Sequence, residues 1–238
     1  MISSSLKILQ INLNRSATTT ESALQLATEL KIDLLVVQEP WTTPKNQGQN
    51  DYFDTRSILH PSYIQILPAD LRFRPRTLVY VATSYKPIVT ISSSSPKDPD
   101  LLVIDIVEEK SKIQLLNIYN EIDQAGTGLN TLKRCLYKLA LHPSTILLGD
   151  FNTHHPWWDP LARPTSGADE LVEWLESQEL ALINAPGVGT FYRPNLARES
   201  VLDLTLATSS IASRIDDWQV ISEVGSDHLG LFFTISGT

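Results

Sequence analysis

The chain has one cysteine, Cys135, among 238 residues, so no internal disulfide can form. The N-terminus has no signal-like pattern, and the two absences together favour an intracellular, reducing compartment. No apolar stretch approaches the ~18 residues needed to span a bilayer, so no membrane partner is expected. Basic residues are scarce: 19 Lys+Arg stand against 27 Asp+Glu, a net charge of −8. A general nucleic-acid coat would be basic, so any DNA or RNA contact must be local. Gly-Lys followed by Ser or Thr occurs nowhere, which excludes a P-loop. Pro186-Gly187-Val188-Gly189 opens no helix and so lacks the context of a dinucleotide loop. There is no Gly-x-Ser-x-Gly elbow, and Ser226-Asp227-His228 is too compact to be a serine-hydrolase triad. The lone cysteine and the spacing around His154-His155-Pro156-Trp157-Trp158 leave no four-ligand zinc set, and that stretch reads as a packed loop.

What the chain does have is a core. Hydrophobic residues make up 42%, enough for a single domain over residues 1–238. Strand-like runs cover Leu6–Ile11, Leu34–Gln38, Leu78–Thr83, Ile88–Ile91, Leu101–Val107, Ile113–Tyr119, Thr145–Leu148, Leu202–Ala207 and Leu229–Ile235. Several are continuously apolar, as suits strands buried on both faces. Three helices are expected. One opens at a capping box, Thr18-Thr19-Thr20-Glu21. A second runs from about Leu129 to Leu141, and a third is capped by Ser166 and buries Leu171, Trp174 and Leu175. Many strands follow one another directly, which predicts an α/β mixed sheet or sandwich with helices outside.

Carboxylates sit at the ends of these runs. Glu39 follows Leu34–Gln38, Asp150 follows Thr145–Leu148 through Gly149, and Asp227 precedes the last run. Asp203 lies within an apolar run, where an unpartnered carboxylate is costly. Acids at strand ends are also ordinary turn residues. A group of them offsets its own repulsion around a divalent cation, and hard oxygen ligands suit Mg²⁺. Asn12 and Asn14 alternate at the end of the first strand and are expected to face one side. Asn152 follows Asp150 by two residues; such amides can hold a phosphate oxygen without adding charge, or simply make turns. His228 can donate to a phosphoryl oxygen or exchange protons near neutral pH, with Asp203 as a carboxylate partner.

Six motifs occur in order: Ile11-Asn12-Leu13-Asn14, Gln38-Glu39, Asn117-Ile118-Tyr119, Gly149-Asp150-Phe151-Asn152, Ser200-Val201-Leu202-Asp203 and Ser226-Asp227-His228. With them the chain resembles the endonuclease/exonuclease/phosphatase (DNase I-like) superfamily from Ile8 to about Ile235. Gln38-Glu39-Pro40-Trp41, the His-His-Pro-Trp-Trp stretch and Gly189-Thr190-Phe191 are most similar to the endonuclease domain of LINE-type non-LTR retrotransposons. The resemblance implies a four-layer α/β/β/α sandwich of two mixed sheets flanked by helices. It also implies Mg²⁺-dependent cleavage of double-stranded DNA, with Mn²⁺ able to substitute, that leaves a 3′-hydroxyl to prime reverse transcription. A DNA target implies the nucleus. A full element would add a reverse transcriptase, so the chain would be an isolated domain.

Carried over by motif, Glu39 binds the metal with Asn12 beside it and Asp227 near it. Asp150 acts on the water or the leaving group, oriented by Asn152, while Tyr119 contacts the phosphate. His228 stabilises the phosphorane charge or acts as base, oriented by Asp203. Asn14, Thr190, Arg193, Arg198 and Ser226 are expected on the substrate. Arg72, Arg74 and Arg76 alternate and would share a face toward phosphates. Pro40 stands where repair enzymes usually have threonine, and Leu204 follows Asp203, which speaks against abasic-site repair. Two alternatives remain: a phosphodiesterase of the same fold acting on RNA or phospholipid, and a catalytically silent binding module.

Overall fold

Successive residues of the first strand, Leu6–Asn12 (β1), bury opposite faces. Ile8 packs into one apolar cluster and Leu9 into another, so this strand is covered on both sides. The computed structural model describes residues 5–43, 55–109, 111–121, 130–193, 198–222 and 224–237. The remaining strands are β2 (Leu34–Gln38), β3 (Tyr63–Ile66), β4 (Thr77–Ala82), β5 (Ile88–Ile91), β6 (Leu101–Glu108), β7 (Ser111–Tyr119), β8 (Thr145–Asp150), β9 (Leu180–Leu182), β10 (Asp203–Thr208), β11 (Ile215–Ile221) and β12 (Gly230–Ile235). They form two six-stranded sheets, ordered β11-β12-β1-β2-β4-β3 and β5-β6-β7-β8-β10-β9.

The sheets face each other across a cluster that includes Ile8, Val36, Leu102, Ile104, Ile146, Leu148 and Phe233. Helix α1 (Ala17–Glu29) covers the outer face of the first sheet, with Ala23, Leu24 and Ala27 against Leu9, Leu35 and Val37. The outer face of the second sheet is covered by α2 (Thr131–Arg134), a 3₁₀ turn (Leu136–Lys138) and α3 (Ala168–Ser177). A short α4 (Ser209–Ala212) follows β10. The architecture is the α/β/β/α sandwich of the DNase I-like fold.

Several local expectations are corrected. The N-cap of α1 is Ser16, whose Oγ accepts from Thr19 N, so the helix starts one residue before the Thr18 box. The helix expected to end at Leu141 is a single α-turn followed by a 3₁₀ turn; Leu129 lies outside the described residues. The cap of α3 is Gly167 in a left-handed conformation, not Ser166, and Trp174 is only partly buried. Strands β3, β9 and β11 were not expected at all. Each is short or sits at a sheet edge, with mixed burial that weakens the period-2 signal.

Topology gathers the chemistry. β1 is parallel to β2, and β7 to β8, so the C-terminal ends of β1 and β2 share one end of their sheet, as those of β7 and β8 do in theirs. β12 runs antiparallel to β1, and β10 antiparallel to β8, so their N-terminal ends arrive at that same end. Asn12, Glu39, Tyr119, Asp150, Asp203 and His228 all sit at or beside these ends. Gly149 makes the closest approach possible. A Cβ there would lie 1.9 Å from Ile118 O, and its φ of +145° disfavours any side chain.

Candidate active site

The strand ends enclose an open pocket of about 270 Å³ lined by Asn12, Asn14, Glu39, Tyr119, Asp150, Asn152, His154, Phe191, Arg193, Leu202, Asp227 and His228. Four residues at its edge, Asn14, Arg15, Glu39 and Asn152, have left-handed backbones, with φ between +45° and +57°. Such conformations are costly for side-chain-bearing residues and cluster where surrounding structure holds them for a purpose.

Asp150 is at the centre, 1% exposed. Its Oδ2 accepts from Asn12 Nδ2 at 2.9 Å and its Oδ1 from the Asn152 amide N–H at 2.9 Å. The Asn12 amide has only one orientation open to it. Its Oδ1 accepts from the Asn14 N–H, so its NH₂ must face the carboxylate. Among the described residues, no arginine or lysine bonds Asp150. Burial, and then the charge of Asp203 directly across the β8–β10 ladder, push its carboxyl up to about 7, although His228 opposes them.

His228 Nδ1 lies 2.8 Å from Asp203 Oδ2, and its Nε2 faces Asp150 Oδ2 at 3.9 Å. Burial works to lower the imidazole. The charge and hydrogen bond of Asp203 outweigh it and push His228 up to about 9. Phe191 flanks the ring with centroids 4.7 Å apart, and Arg193 stacks on Phe191 in turn, its guanidinium 4.9 Å from that centroid. Tyr119 lies beneath the Arg76 guanidinium at 5.1 Å, and burial raises its hydroxyl further.

Two groups of side chains could attract a cation. Asp150, Asp203 and His228 present ligand atoms within 4.8 Å of one another. Asp203 is fully buried, however, and its Oδ2 already accepts from Thr190 Oγ1 at 2.9 Å while facing His228 Nδ1. That trio is better described as a hydrogen-bonded His228–Asp203 pair facing a second acid, Asp150. Glu39, Asp227 and the Asn12 and Asn14 amides supply oxygens on the pocket side. This set of hard donors suits Mg²⁺ or Mn²⁺ rather than a soft metal. Arg15 Nη2 lies 2.5 Å from Glu39 Oε1, holding that carboxylate at the rim.

A family model for endonuclease–reverse transcriptase matches residues 113–232, half of the chain. The chain belongs to the endonuclease–reverse transcriptase family. It is a nuclease of the DNase I-like fold, a hydrolase of phosphodiester bonds. Its structure is similar to the endonuclease domain of TRAS1, a telomere-specific non-LTR retrotransposon, with a TM-score of 0.75 and 20% identity over 98% of this chain and 99% of that one. The AP endonuclease LMAP from Leishmania major aligns with a TM-score of 0.71 at 15% identity, covering 98% and 88% of the two chains. An AP endonuclease from Archaeoglobus fulgidus gives 0.63 at 20% identity over 97% and 99%. No curated protein matches by sequence.

Most of the expected site residues of this family member meet in the pocket: Asn12, Asn14, Glu39, Tyr119, Asp150, Asn152, Arg193, Asp227 and His228, with Asp203 directly behind. Four placements differ from expectation. Asn14 is not on the strand face with Asn12. It sits in a left-handed turn and reaches Asp227 Oδ1 at 3.5 Å. Thr190 is fully buried, and its hydroxyl donates to Asp203, so it supports that carboxylate instead of touching substrate. Ser226 Oγ donates to Asn12 O and accepts from His228 N–H, tying two strand ends together. Arg198 is held by both oxygens of Asp159 and is not part of the pocket lining. The arginine row is also committed elsewhere. Arg72 pairs with Asp70, Arg76 with Asp100 and Glu121, and Arg74 donates to Thr42. Residues 194–197 of the Arg193–Arg198 loop lie outside the described residues.

Sequence reasoning passed over Arg15, His154 and Phe191. Phe191 stood inside a noted motif, but its place beside His228 depends on an isolated bridge between two distant segments. His154 was read with its neighbours as a packed loop. Trp158 does pack there, fully buried and beside the His155 ring, while His154 turns to the pocket.

Proposed function

We propose that this nuclease is a divalent-metal-dependent DNA endonuclease that nicks double-stranded DNA to leave a 3′-hydroxyl, from which a fused reverse transcriptase primes synthesis. The observation that carries this reading is the juxtaposition of Asp150 with the His228–Asp203 pair across one open pocket rimmed by Glu39 and Asp227. Glu39, Asn12 and Asp227 would hold a divalent cation, which would supply charge neutralisation for the phosphate.

The side chains do the rest. Asp150, with its carboxyl raised to about 7, can take a proton from the attacking water near neutral pH, and Asn12 and Asn152 fix its orientation. The water oxygen bonds to phosphorus as its proton passes to Asp150, the bond to the 3′-oxygen breaks, and that oxygen takes a proton from solvent to leave as a hydroxyl, while Asp150 returns its own proton to solvent. His228 stays protonated up to about 9 and presents Nε2–H to the charge that develops on the phosphoryl oxygens. Tyr119 keeps its hydroxyl proton and can donate it to the same group. A chromosomal target would put this action in the nucleus.

Purified protein incubated with supercoiled plasmid tests the reading, with Mg²⁺ or EDTA and beside His228→Ala. Metal-dependent nicks that a DNA polymerase can extend are expected, and they should vanish in the variant. A folded protein that nicks nothing would transfer the site to RNA or phospholipid phosphodiesters, or to silent binding.

A further inference from the structure

Gln10 on β1 and Gln38 on β2 break the apolar interior between the sheets, on the side of Asn12 away from the pocket. Both are fully buried, as is Asn117 on β7 opposite them. Burying three amides where Leu or Val would pack is costly unless each is hydrogen-bonded. They are bonded to one another in a single chain. Asn117 Nδ2 donates to the carbonyls of Val37 and Leu78, each at 3.0 Å. Its Oδ1 accepts from Gln38 Nε2 at 2.7 Å. Gln38 Oε1 accepts from Gln10 Nε2 at 2.9 Å, and the same Nε2 donates to Asp203 Oδ1 at 3.1 Å.

The direction of this chain is forced at both ends. Two backbone carbonyls require the NH₂ of Asn117, and a carboxylate requires the NH₂ of Gln10. One atom is left over: Gln10 Oε1 is buried without a partner among the described residues. A fold selected for stability alone gains nothing from an orphaned carbonyl oxygen. Turning the amide over would satisfy nothing either, since it would set that oxygen against Asp203.

We infer that Gln10 and Gln38 are positioning residues of the nuclease site, which act through Asp203 to hold His228 in place. Asp203 Oδ2 is engaged by Thr190 and His228, whereas Gln10 is the only side-chain donor to Oδ1 among the described residues. Gln10 therefore fixes the plane of the carboxylate, and with it the line along which His228 Nδ1 is held and Nε2 is aimed at the pocket. Gln38 braces Gln10 and is itself braced by Asn117, which is anchored on the carbonyls of β2 and β4, so the position of the first sheet's backbone is transmitted to an acid on β10 of the second. Glu39 follows Gln38 directly, so the same brace also sets the strand end from which the rim carboxylate departs. The inference rests on the nuclease reading for its kinetic consequence, but not for its structural one.

The test uses Gln10→Met, which keeps length and removes the donor, and Ile8→Ala, which weakens the same strand without touching the amide chain. Two quantities are read. One is the nuclear magnetic resonance line of the His228 Nδ1 proton in protein treated with EDTA. The other is steady-state nicking. Gln10→Met should broaden or abolish the His228 line while the backbone amide spectrum remains that of the folded protein. It should lower kcat roughly tenfold, the equivalent of one hydrogen bond to a charged group, with KM unchanged. Ile8→Ala should lower the melting temperature but keep both the line and kcat.

A Gln10→Met protein with a sharp His228 line and undiminished kcat would overturn the inference. So would an Ile8→Ala protein that loses both to the same degree. If Gln10→Met does not fold, Gln38→Met takes its place, because it leaves the donor to Asp203 and removes only the brace; an unchanged His228 line there has the same overturning force. Failure of the parent protein to cleave DNA would remove the nuclease reading, and the resonance line would still decide the positioning role.

Discussion

Two groups of buried carboxylates lie close together in this molecule and are neutralised in opposite ways. In the loop that leads into β6, Asp98 and Asp100 meet arginines. Arg134 bonds both acids, and Arg76 bonds Asp100 at 2.5 Å and Glu121 at 2.9 Å. At the ends of β8 and β10, Asp150 and Asp203 meet amides, a threonine and one histidine. In the first group burial works to raise Asp98, but the Arg134 guanidinium and the Asp100 amide outweigh it and hold the carboxyl below the usual range. Burial still lifts Asp100, and its arginine partners only partly offset this. Both guanidiniums are held above their ordinary values by the acids around them. In the second group no arginine or lysine bonds either acid among the described residues; burial and the charge of Asp203 raise Asp150 to about 7, and Asp203 raises His228 to about 9. At Asp98 the arginine holds a buried acid in its charged form. Neutral amides orient an acid and leave its proton exchangeable, which is what a reacting group needs.

The sharpest way to break this contrast is to remove the exchangeable proton. Asp150→Asn should lower the nicking rate by about 10³-fold, in the range expected for a general base, with the melting temperature unchanged or raised; a plasmid time course and a thermal melt check both. A variant that retained activity would show that Asp150 only packs.

A smaller effect is expected at the support of the histidine. Asp203→Asn should reduce the rate by about 10²-fold and bring the His228 imidazole down from about 9. The sign follows from linkage. The folded pKa lies above the ordinary 6.5, so the stability that the His228–Asp203 pair contributes is complete below about 6.5. It is lost as pH rises through about 9. Titration of the ring protons by magnetic resonance in metal-free protein, and melts across that window, should show both changes in the parent and neither in the variant.

The arginine group should behave in the reverse sense. Asp100→Asn leaves two partly buried guanidiniums short of a partner and should destabilise by about 3 kcal/mol, with kcat retained at a temperature where the protein is folded. Denaturant melts measure the first effect and nicking the second. A loss of kcat in the folded variant would mean that the two groups are coupled through Arg76 and Tyr119, which stack at 5.1 Å.

The smallest change is expected at the rim. The Arg193 side chain is 61% exposed and only 3.8 Å from Asp227 Oδ2. Arg193→Ala should weaken DNA binding a few-fold and flatten the slope of log affinity against log salt by about one. A salt titration with an unaltered slope would leave Arg193 as a packing partner of Phe191.

Much of this was legible in the residues themselves. Long apolar runs such as Leu34–Gln38 and Leu101–Val107 announce strands buried on both faces, and strands lie there, the second extending one residue further to Glu108. Apolar runs flanked by Glu39, Asp150 and Asp227 point to a site through the ordered motifs that contain them, since acids at strand ends are by themselves ordinary turn residues. Local signals failed where neighbours decide the outcome. The leucines of residues 129–141 have helical spacing, yet Asn130 caps only a single turn before the chain bends into a 3₁₀ turn over Leu136. Thr190, Ser226 and Arg198 have the chemistry of substrate contacts, but Asp203, Asn12 and Asp159 reach them first.

By itself, the sequence determined which residues could do chemistry and which strand ends would carry them. Polarity and periodicity are local properties, and a six-motif order survives without knowledge of contacts. Only the tertiary structure decided the partners. Hydrogen bonds such as Gln10 to Asp203 join residues almost two hundred positions apart, and no local pattern records them. The pairing of two sheets face to face therefore settles which acids are quenched by arginine, which are held by amides, and which single histidine stands between them.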